Sequence, residues 1–339
     1  MKRIGNVWQN IISVENLKLA DEKARKGKVH SWGVKIHDRR REQNILDLHE
    51  MLANKTFKTS EYETFTIFEP KERLIFRLPY YPDRIVHHAV MHIMEPIWVK
   101  IFTTDTYSCI KNRGIHACAV AVRKTLRQYP EETKYCLKID IRKYYPSVDH
   151  EILKNIIRRK VKDPDLLWLL DEVIDSADGI PIGNYLSQYF ANLYLTYFDH
   201  WLKEVKHVKF YFRYADDMVV LSSSKKELQD LLVEMRAYLH DNLKLKIKRN
   251  FQVFPVDSRG IDFVGYRFYH THTLLRKKIK QNMCRRVAHL RKIMKTRYVK
   301  RKVFRQDVAS WWGWCKYCDS KHFVKHLLKD LPYEVKFKR

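Results

Sequence analysis

Glycine is scarce in this 339-residue chain, with nine residues in all, and no Gly/Ser tract, internal repeat or low-complexity segment interrupts it. Flexible-linker and collagen-like organisations are thereby excluded. No stretch approaches the roughly 18 apolar residues that a membrane span needs. The first ten residues carry Lys2, Arg3 and Asn6 where a secretory signal would have an apolar core. Six irregularly spaced cysteines make no disulfide framework and point to reduced thiols. The expectation is a soluble, cytoplasmic protein with no membrane partner. Acidic residues are also short, 39 Asp and Glu against 66 Lys and Arg, a formal net charge of +27. Such an excess sets the chain apart from a neutral metabolic enzyme and suits a polyanionic partner. With 45% hydrophobic and 13% aromatic residues the chain can bury a sizeable core, so it is not disordered overall. Its length suits roughly two or three domain-sized units.

The positive charge is concentrated. Residues 276–305 hold 14 Lys or Arg and no Asp or Glu. Within them Ile279, Met283, Val287, Leu290 and Met294 recur at spacings of three and four, which predicts an amphipathic helix with a basic outer face. A solvated face or a membrane-surface helix would share that pattern; the charge density favours nucleic acid, with Arg285, Arg286, Arg291 and Lys292 as contact candidates. A second basic region, 23–41, contains Arg39, Arg40 and Arg41 in a row and fits either a nucleic-acid contact or a solvated surface.

Pattern changes predict helices over 5–20 and 43–53, a strand, turn and strand over 65–76, and a helix capped by Asp83 and ended by Pro96. A strand follows over 135–141, then a helix capped by Asp149, a helix over 184–204 and a β-hairpin over 209–221. A helix over 225–242 and strands near 246–254 and 260–269 complete the series. Helices between strands that pair antiparallel make the fold class α+β.

Asp140 ends an apolar strand, and Asp216 and Asp217 occupy a hairpin turn between apolar flanks. Like charges packed there repel each other unless a cation joins them. Two Mg²⁺ ions, each sharing carboxylate oxygens with substrate phosphate, remove that penalty and support in-line phosphoryl transfer. An Asp-Asp pair in isolation is an ordinary polar turn; the apolar flanks argue for the metal site.

Residues 137–149 (LKIDIRKYYPSVD), 180–195 (IPIGNYLSQYFANLYL) and 212–221 (FRYADDMVVL) resemble the motifs of reverse transcriptases, in order. Residues 69–88 look like the fingers block, 107–118 like the next, and 260–268 (GIDFVGYRF) like the primer grip, so the resemblance covers about residues 60–315. It implies a right-hand polymerase with an N-terminal helical extension at 1–55 and fingers at 56–134. A palm of antiparallel sheet plus helices, with an interleaved fingers segment and the primer grip, would follow at 135–270, and a helical basic thumb at 271–339. It further implies that Asp140, Asp216, Asp217 and the backbone carbonyl of Ile141 hold two Mg²⁺ ions. Arg73, with Lys71 second, would hold the incoming deoxynucleoside triphosphate, Arg being suited by its bidentate fork. Tyr145 matches the aromatic gate against a ribose 2′-hydroxyl. Lys246 matches the lysine near the leaving pyrophosphate, with Lys244 and Lys248 as alternatives.

Many bacterial relatives carry Gln-Gly and then Ser-Pro in the fourth block, where this chain has Ile182-Gly183 and Ser187-Gln188. That departure resembles the reverse transcriptases of diversity-generating retroelements, which copy a template RNA into cDNA with errors opposite adenine. Residues 15–28 and 309–323 look like that group too. The resemblance implies Ile182, Gly183 and Gln188 at the nucleotide, and a pentameric, basic, helical accessory variability protein as partner. Fingers, palm and thumb consume the chain, so no RNase H or integrase is expected within it. A defence-associated or retron-like enzyme and a catalytically silent RNA-binding scaffold are the alternatives. Cys315, Cys318, His322 and His326 fall at helical spacings on one face, which predicts packing and not a tetrahedral zinc site. Trp311, Trp312 and Trp314 read as thumb core.

Overall fold

The computed structural model describes residues 3–68, 72–329 and 331. They form two compact units. The first is built from Met1–Thr104, Ile141–His207 and Met235–Ile247, the second from Asp105–Asp140, Val208–Glu234 and Lys248–Arg339. Among the described residues no helix is long and apolar enough to cross a membrane.

In the first unit the helix expected over 5–20 is two helices, Trp8–Ile12 and Val14–Ala24. The break is at Ser13, whose hydroxyl caps the second by accepting from the Asn16 amide at 3.2 Å. Helices Trp32–Asp38 and Arg41–Ala53 follow. Asp21 holds this group together. Its buried carboxylate accepts from Arg25 and from Arg41, each at 2.7 Å, and from the Tyr80 hydroxyl, with His37 at 3.4 Å. Burial opposes ionisation of Asp21, but these donors outweigh it and hold its carboxyl below the usual range. Strands β1 (Glu63–Ile67) and β2 (Arg73–Arg77) pair antiparallel as expected, Ile67 facing Arg73.

The next helix, Ile85–Val99, departs from expectation at both ends. Asp83 does not cap it; its buried carboxylate accepts from the Ser60 amide at 3.0 Å. Pro96 does not end it. A proline in the last turn deletes one backbone hydrogen bond, and the remaining residues stay anchored by the buried Trp98. Asp149 does cap its helix, His150–Arg158, through the Ile152 amide. Helices Pro164–Ile174 and Tyr185–His200 complete the unit's long elements.

The second unit is organised on a four-stranded antiparallel sheet. Its strands are β3 (Tyr135–Asp140), β4 (Phe210–Tyr214), β5 (Asp217–Ser222) and β6 (Gln252–Pro255), in spatial order β4-β5-β3-β6. The strand expected near 246–254 is therefore shorter: Ile247 makes only an isolated bridge, to Ile141, and pairing with β3 begins at Gln252. β3 and β5 are central; β5 is buried from Met218 to Ser222, whereas β3 leaves Tyr135, Lys138 and Asp140 partly exposed. The helix Ile115–Gln128 packs its buried Cys118, Val122 and Leu126 into a core shared with Phe212, Val219 and Phe254. The segment expected as one strand at 260–269 is a hairpin, β7 (Ile261–Phe263) and β8 (Tyr266–Phe268), joined by β9 (Thr273–Leu275).

The basic helix runs Lys277–Thr296 and buries Met283, Val287 and Leu290 as its spacing predicts, leaving Arg285 and Lys292 exposed. Helix Arg301–Cys315 returns along it. Cys315, Cys318, His322 and His326 are not on one straight helix, because the chain turns after Cys315 and restarts as Lys321–Leu327. The buried Cys315 thiol packs 3.8 Å from the Met283 sulfur. Trp311 and Trp312 pack around that contact. Trp314 lies against Tyr266, ring centroids 5.3 Å apart, and covers Gly265, where φ is +87° and a Cβ would come within 2.3 Å of the indole.

Candidate active site

β3 and β5 run antiparallel in a register that sets Asp140 directly opposite Asp217. The tight turn from β4 to β5 is Ala215–Asp216, with Ala215 in the left-handed region at φ +55°. Three carboxylates thus meet at one end of the central strands. Asp216 lies close enough to Asp140 for the two carboxyls to interact directly. Burial, with the Asp140 charge and that interaction adding to it, pushes Asp216 up to about 6. Burial pushes Asp217 up to about 7 against the pull of Lys138, with Asp140 and Asp216 reinforcing the rise.

Two lysines partly neutralise the cluster. Lys248 Nζ lies 2.5 Å from Asp140 Oδ2, and its amide donates to the Asp140 carbonyl at 2.8 Å. Lys138 Nζ lies 3.7 Å from Asp217 Oδ2 and donates to the Asp262 carbonyl on the hairpin β7–β8. Arg276 fixes the Asp262 carboxylate at 2.6 Å. Beneath the turn, the fully buried Arg213 donates to the Ala215 carbonyl at 3.2 Å and the Thr106 hydroxyl at 3.3 Å. An arginine inside an apolar strand is the signal that marks this support in the sequence; Lys138 and Arg213 are the residues the motif reading passed over, and Lys248 is there only an alternative to Lys246.

Among the described residues no three His, Cys, Asp or Glu side chains close into a ready metal-binding set. The donor chemistry nonetheless fits divalent cations. Asp140 Oδ1 and Asp217 Oδ1 are sealed from solvent and accept no hydrogen bond. Two orphaned carboxylate oxygens on facing residues, beside a third carboxyl kept partly protonated, are what a hard, oxygen-seeking ion would satisfy.

The other sequence candidates divide between the units. Ile141, Tyr145, Ile182, Gly183, Gln188, Arg73 and Lys246 belong to the first; Lys71 lies outside the described residues. Arg73 is exposed at the start of β2 and has no ion pair among the described residues. Ile182 accepts the Phe76 amide at 2.8 Å, and Gly183, at φ +130°, lies so close to Phe76 that a Cβ would approach its carbonyl to 2.3 Å. Tyr145 is half-buried and its carbonyl accepts the Ile180 amide at 2.9 Å. Gln188 and Lys246 are exposed. Of the lysines in 244–248, the one brought to Asp140 is Lys248, two residues beyond Lys246. Arg285 and Lys292 are exposed on the basic helix, whereas Arg286 pairs with Asp307 and Arg291 donates to the Leu327 carbonyl at 2.7 Å.

A cavity of about 200 Å³ in the first unit is lined by Gly183, Phe76, Tyr185, Lys28, Arg84 and His87. Burial lowers the pKa of both Lys28 and Arg84, and no carboxylate among the described residues pairs with either. His87 is held neutral, pushed down to about 3 by burial with His88 and Arg84 adding, and its Nε2 has no partner. Aromatic walls and uncompensated cations suit a ligand that is both planar and anionic.

The raised carboxyls have a consequence for stability. A folded-state pKa above the ordinary Asp value means the folded chain holds extra protons, so these groups favour folding at low pH. They lose that contribution as pH rises from about 4 through the values of about 6 and 7. Metal-free thermal melts of wild type and Asp217→Asn should therefore diverge as pH rises across that window, the variant becoming relatively more stable. Mg²⁺ should restore the wild type; parallel pH profiles would contradict the burial assignment.

The sequence profile of the family described as reverse transcriptase (RNA-dependent DNA polymerase) matches residues 69–268. Protein YkfC of Escherichia coli K12 is 26% identical over 234 residues, 56% of this chain and 61% of that protein. The group II intron-encoded protein LtrA of Lactococcus lactis subsp. cremoris is 20% identical over 263 residues, covering 56% of this chain and 43% of LtrA. The retron Ec73 reverse transcriptase of Escherichia coli is 25% identical over 226 residues, 61% of this chain and 69% of that enzyme. This chain thus spans only part of each of these proteins. Among solved structures, telomerase from Candida tropicalis with a TWJ fragment of telomeric RNA has a TM-score of 0.50 at 10% identity, covering 85% of this chain and 59% of that one. The likeness is one of fold, and it agrees with the right-hand polymerase architecture. The chain belongs to the reverse transcriptase family.

Proposed function

We propose that this chain is an RNA-directed DNA polymerase that copies a template RNA into cDNA, and that it does so for a diversity-generating retroelement. The observation that carries the polymerase reading is the facing of Asp140 and Asp217 across β3 and β5 with an orphaned oxygen on each. Asp140, Asp216 and Asp217, with the Ile141 carbonyl, would hold two Mg²⁺ ions; when bound, these lower the pKa of the attacking hydroxyl and stabilise the leaving oxygen. The bond formed joins the primer 3′-oxygen to the α-phosphorus, and the bond broken releases pyrophosphate.

This chain's residues supply position. Arg73 would grip the triphosphate through its guanidinium fork. Tyr145 would stand where a ribonucleotide carries its 2′-hydroxyl. Lys246, or its alternative Lys248, which is held at Asp140, would serve the pyrophosphate side. Arg285 and Lys292 would meet template and cDNA phosphates, whereas Arg286 and Arg291 brace the thumb.

The subclass rests on the Ile182-Gly183 departure. Ile182 contributes its carbonyl to the Phe76 amide and an apolar side chain where a glutamine would offer an amide. Fewer polar contacts to the nucleotide narrow the gap between right and wrong pairs. The accessory variability protein, if basic like this chain, would be repelled at long range, so template RNA would bridge the two.

Two experiments test these readings. Asp216→Asn should abolish primer extension in Mg²⁺ while leaving RNA affinity within about twofold; substantial extension would sink the metal assignment. Ile182→Gln should add a hydrogen bond worth about 0.5–1.5 kcal/mol, raising discrimination opposite template adenine by up to about tenfold. Sequencing cDNA from one template copied by both versions reads this out. An unchanged adenine error rate with full activity would make Ile182 a packing residue.

A further inference from the structure

On the short helix Trp32–Asp38, Val34 and His37 face inward and are buried, at 0% and 1% exposure. Trp32, Lys35, Ile36 and, at the helix end, Arg39 recur at three, four and seven residues, so they share the opposite face. Trp32 is 69% exposed, Ile36 45%, and Val29 in the preceding turn 51%. The Arg39 guanidinium lies 5.9 Å from the Trp32 ring centroid. An indole left so open, with apolar neighbours beside it, marks a contact surface.

The charges around this surface have one sign. Asp21 is taken by Arg25 and Arg41, Asp38 by Arg25, and Glu42 by Lys18. Of the acidic residues in 21–42, Glu22 alone has no ion pair among the described residues, against the unpaired cations Lys26, Lys28, Lys35, Arg39 and Arg40. Lys28 also lines the cavity in which His87 Nε2 has no partner.

We propose that this face binds an unpaired stretch of RNA, one base stacking on Trp32 and the flanking phosphates meeting Lys35, Arg39 and Lys28. A base on an aromatic plane with cations along the backbone is how single strands are held. A duplex offers no unstacked base to Trp32, and two apolar residues on a seven-residue helix make too small a face for a membrane. The contact needs no nucleotidyl transfer and goes beyond the polymerase reading.

The test uses the full chain carrying Asp216→Asn, without nucleotides, so its outcome is independent of whether the chain polymerises. Anisotropy of a labelled, unstructured oligoribonucleotide gives Kd against salt. Trp32→Ala should weaken binding by about five- to hundredfold, with Trp32→Phe restoring most of it. Lys35→Gln with Arg39→Gln should reduce the slope of log affinity against log salt by about 1.4. Ultraviolet cross-links should include residues within 26–40 and be lost there in Trp32→Ala. Unchanged affinity in Trp32→Ala, an equal loss for a matched RNA duplex, or a loss confined to anionic lipid vesicles would each overturn the proposal.

Discussion

The antiparallel register of β3 and β5 is the constraint on which the rest of the second unit depends. It places Asp140 opposite Asp217, and a two-residue turn adds Asp216 beside them. No purely structural role explains three half-buried carboxyls brought together, because each raises the cost of ionising the others. The surrounding groups limit that cost. Lys248 and Lys138 each approach one carboxylate, and the buried Arg213 props the turn from below by donating to the Ala215 carbonyl. The hairpin β7–β8 is tied in through the Asp262 carbonyl, and Trp314 of the helix Arg301–Cys315 covers its turn at Gly265. The acidic cluster, the hairpin and that helix therefore form one mechanical series within the unit.

The first unit shows the opposite economy of charge. Asp21 is a buried carboxylate satisfied several times over, and it fastens the N-terminal helices to Tyr80. Breaking such a centre would strand its guanidinium groups, a change that costs several kcal/mol in comparable buried pairs. The cavity beside Gly183 has the reverse imbalance, with cations and an unpartnered histidine nitrogen but no acid. The two places thus carry opposite charge imbalances, acidic at the end of β3 and β5 and basic in the cavity.

Much of this was legible in the sequence for identifiable reasons. The hairpin β4–β5 could be read because its strands are largely apolar on both sides of two carboxylates. The inward stripe of the basic helix followed from spacing alone, and Met283, Val287 and Leu290 occupy it. Long-range partners were not legible. Asp83 has the composition of a helix cap, yet a distant amide, that of Ser60, claims its carboxylate. Pro96 looks like a terminator, yet tertiary packing carries the helix through its last turn. Three lysines alternate across 244–248, and nothing local distinguishes the one facing Asp140; the bridge between Ile141 and Ile247, which carries the Lys248 amide to the Asp140 carbonyl, decides it. The break after Cys315 likewise depends on packing between helices, which spacing along one helix cannot encode.

The central claim is that the facing carboxylates are a divalent-cation site. Paramagnetic counting of bound Mn²⁺, with template–primer and a non-hydrolysable deoxynucleotide present, tests it most directly. Two ions should bind to the wild-type chain, with loss or marked weakening of at least one in both Asp140→Asn and Asp217→Asn. Equal numbers of ions, bound with equal affinity in wild type and both variants, would contradict it.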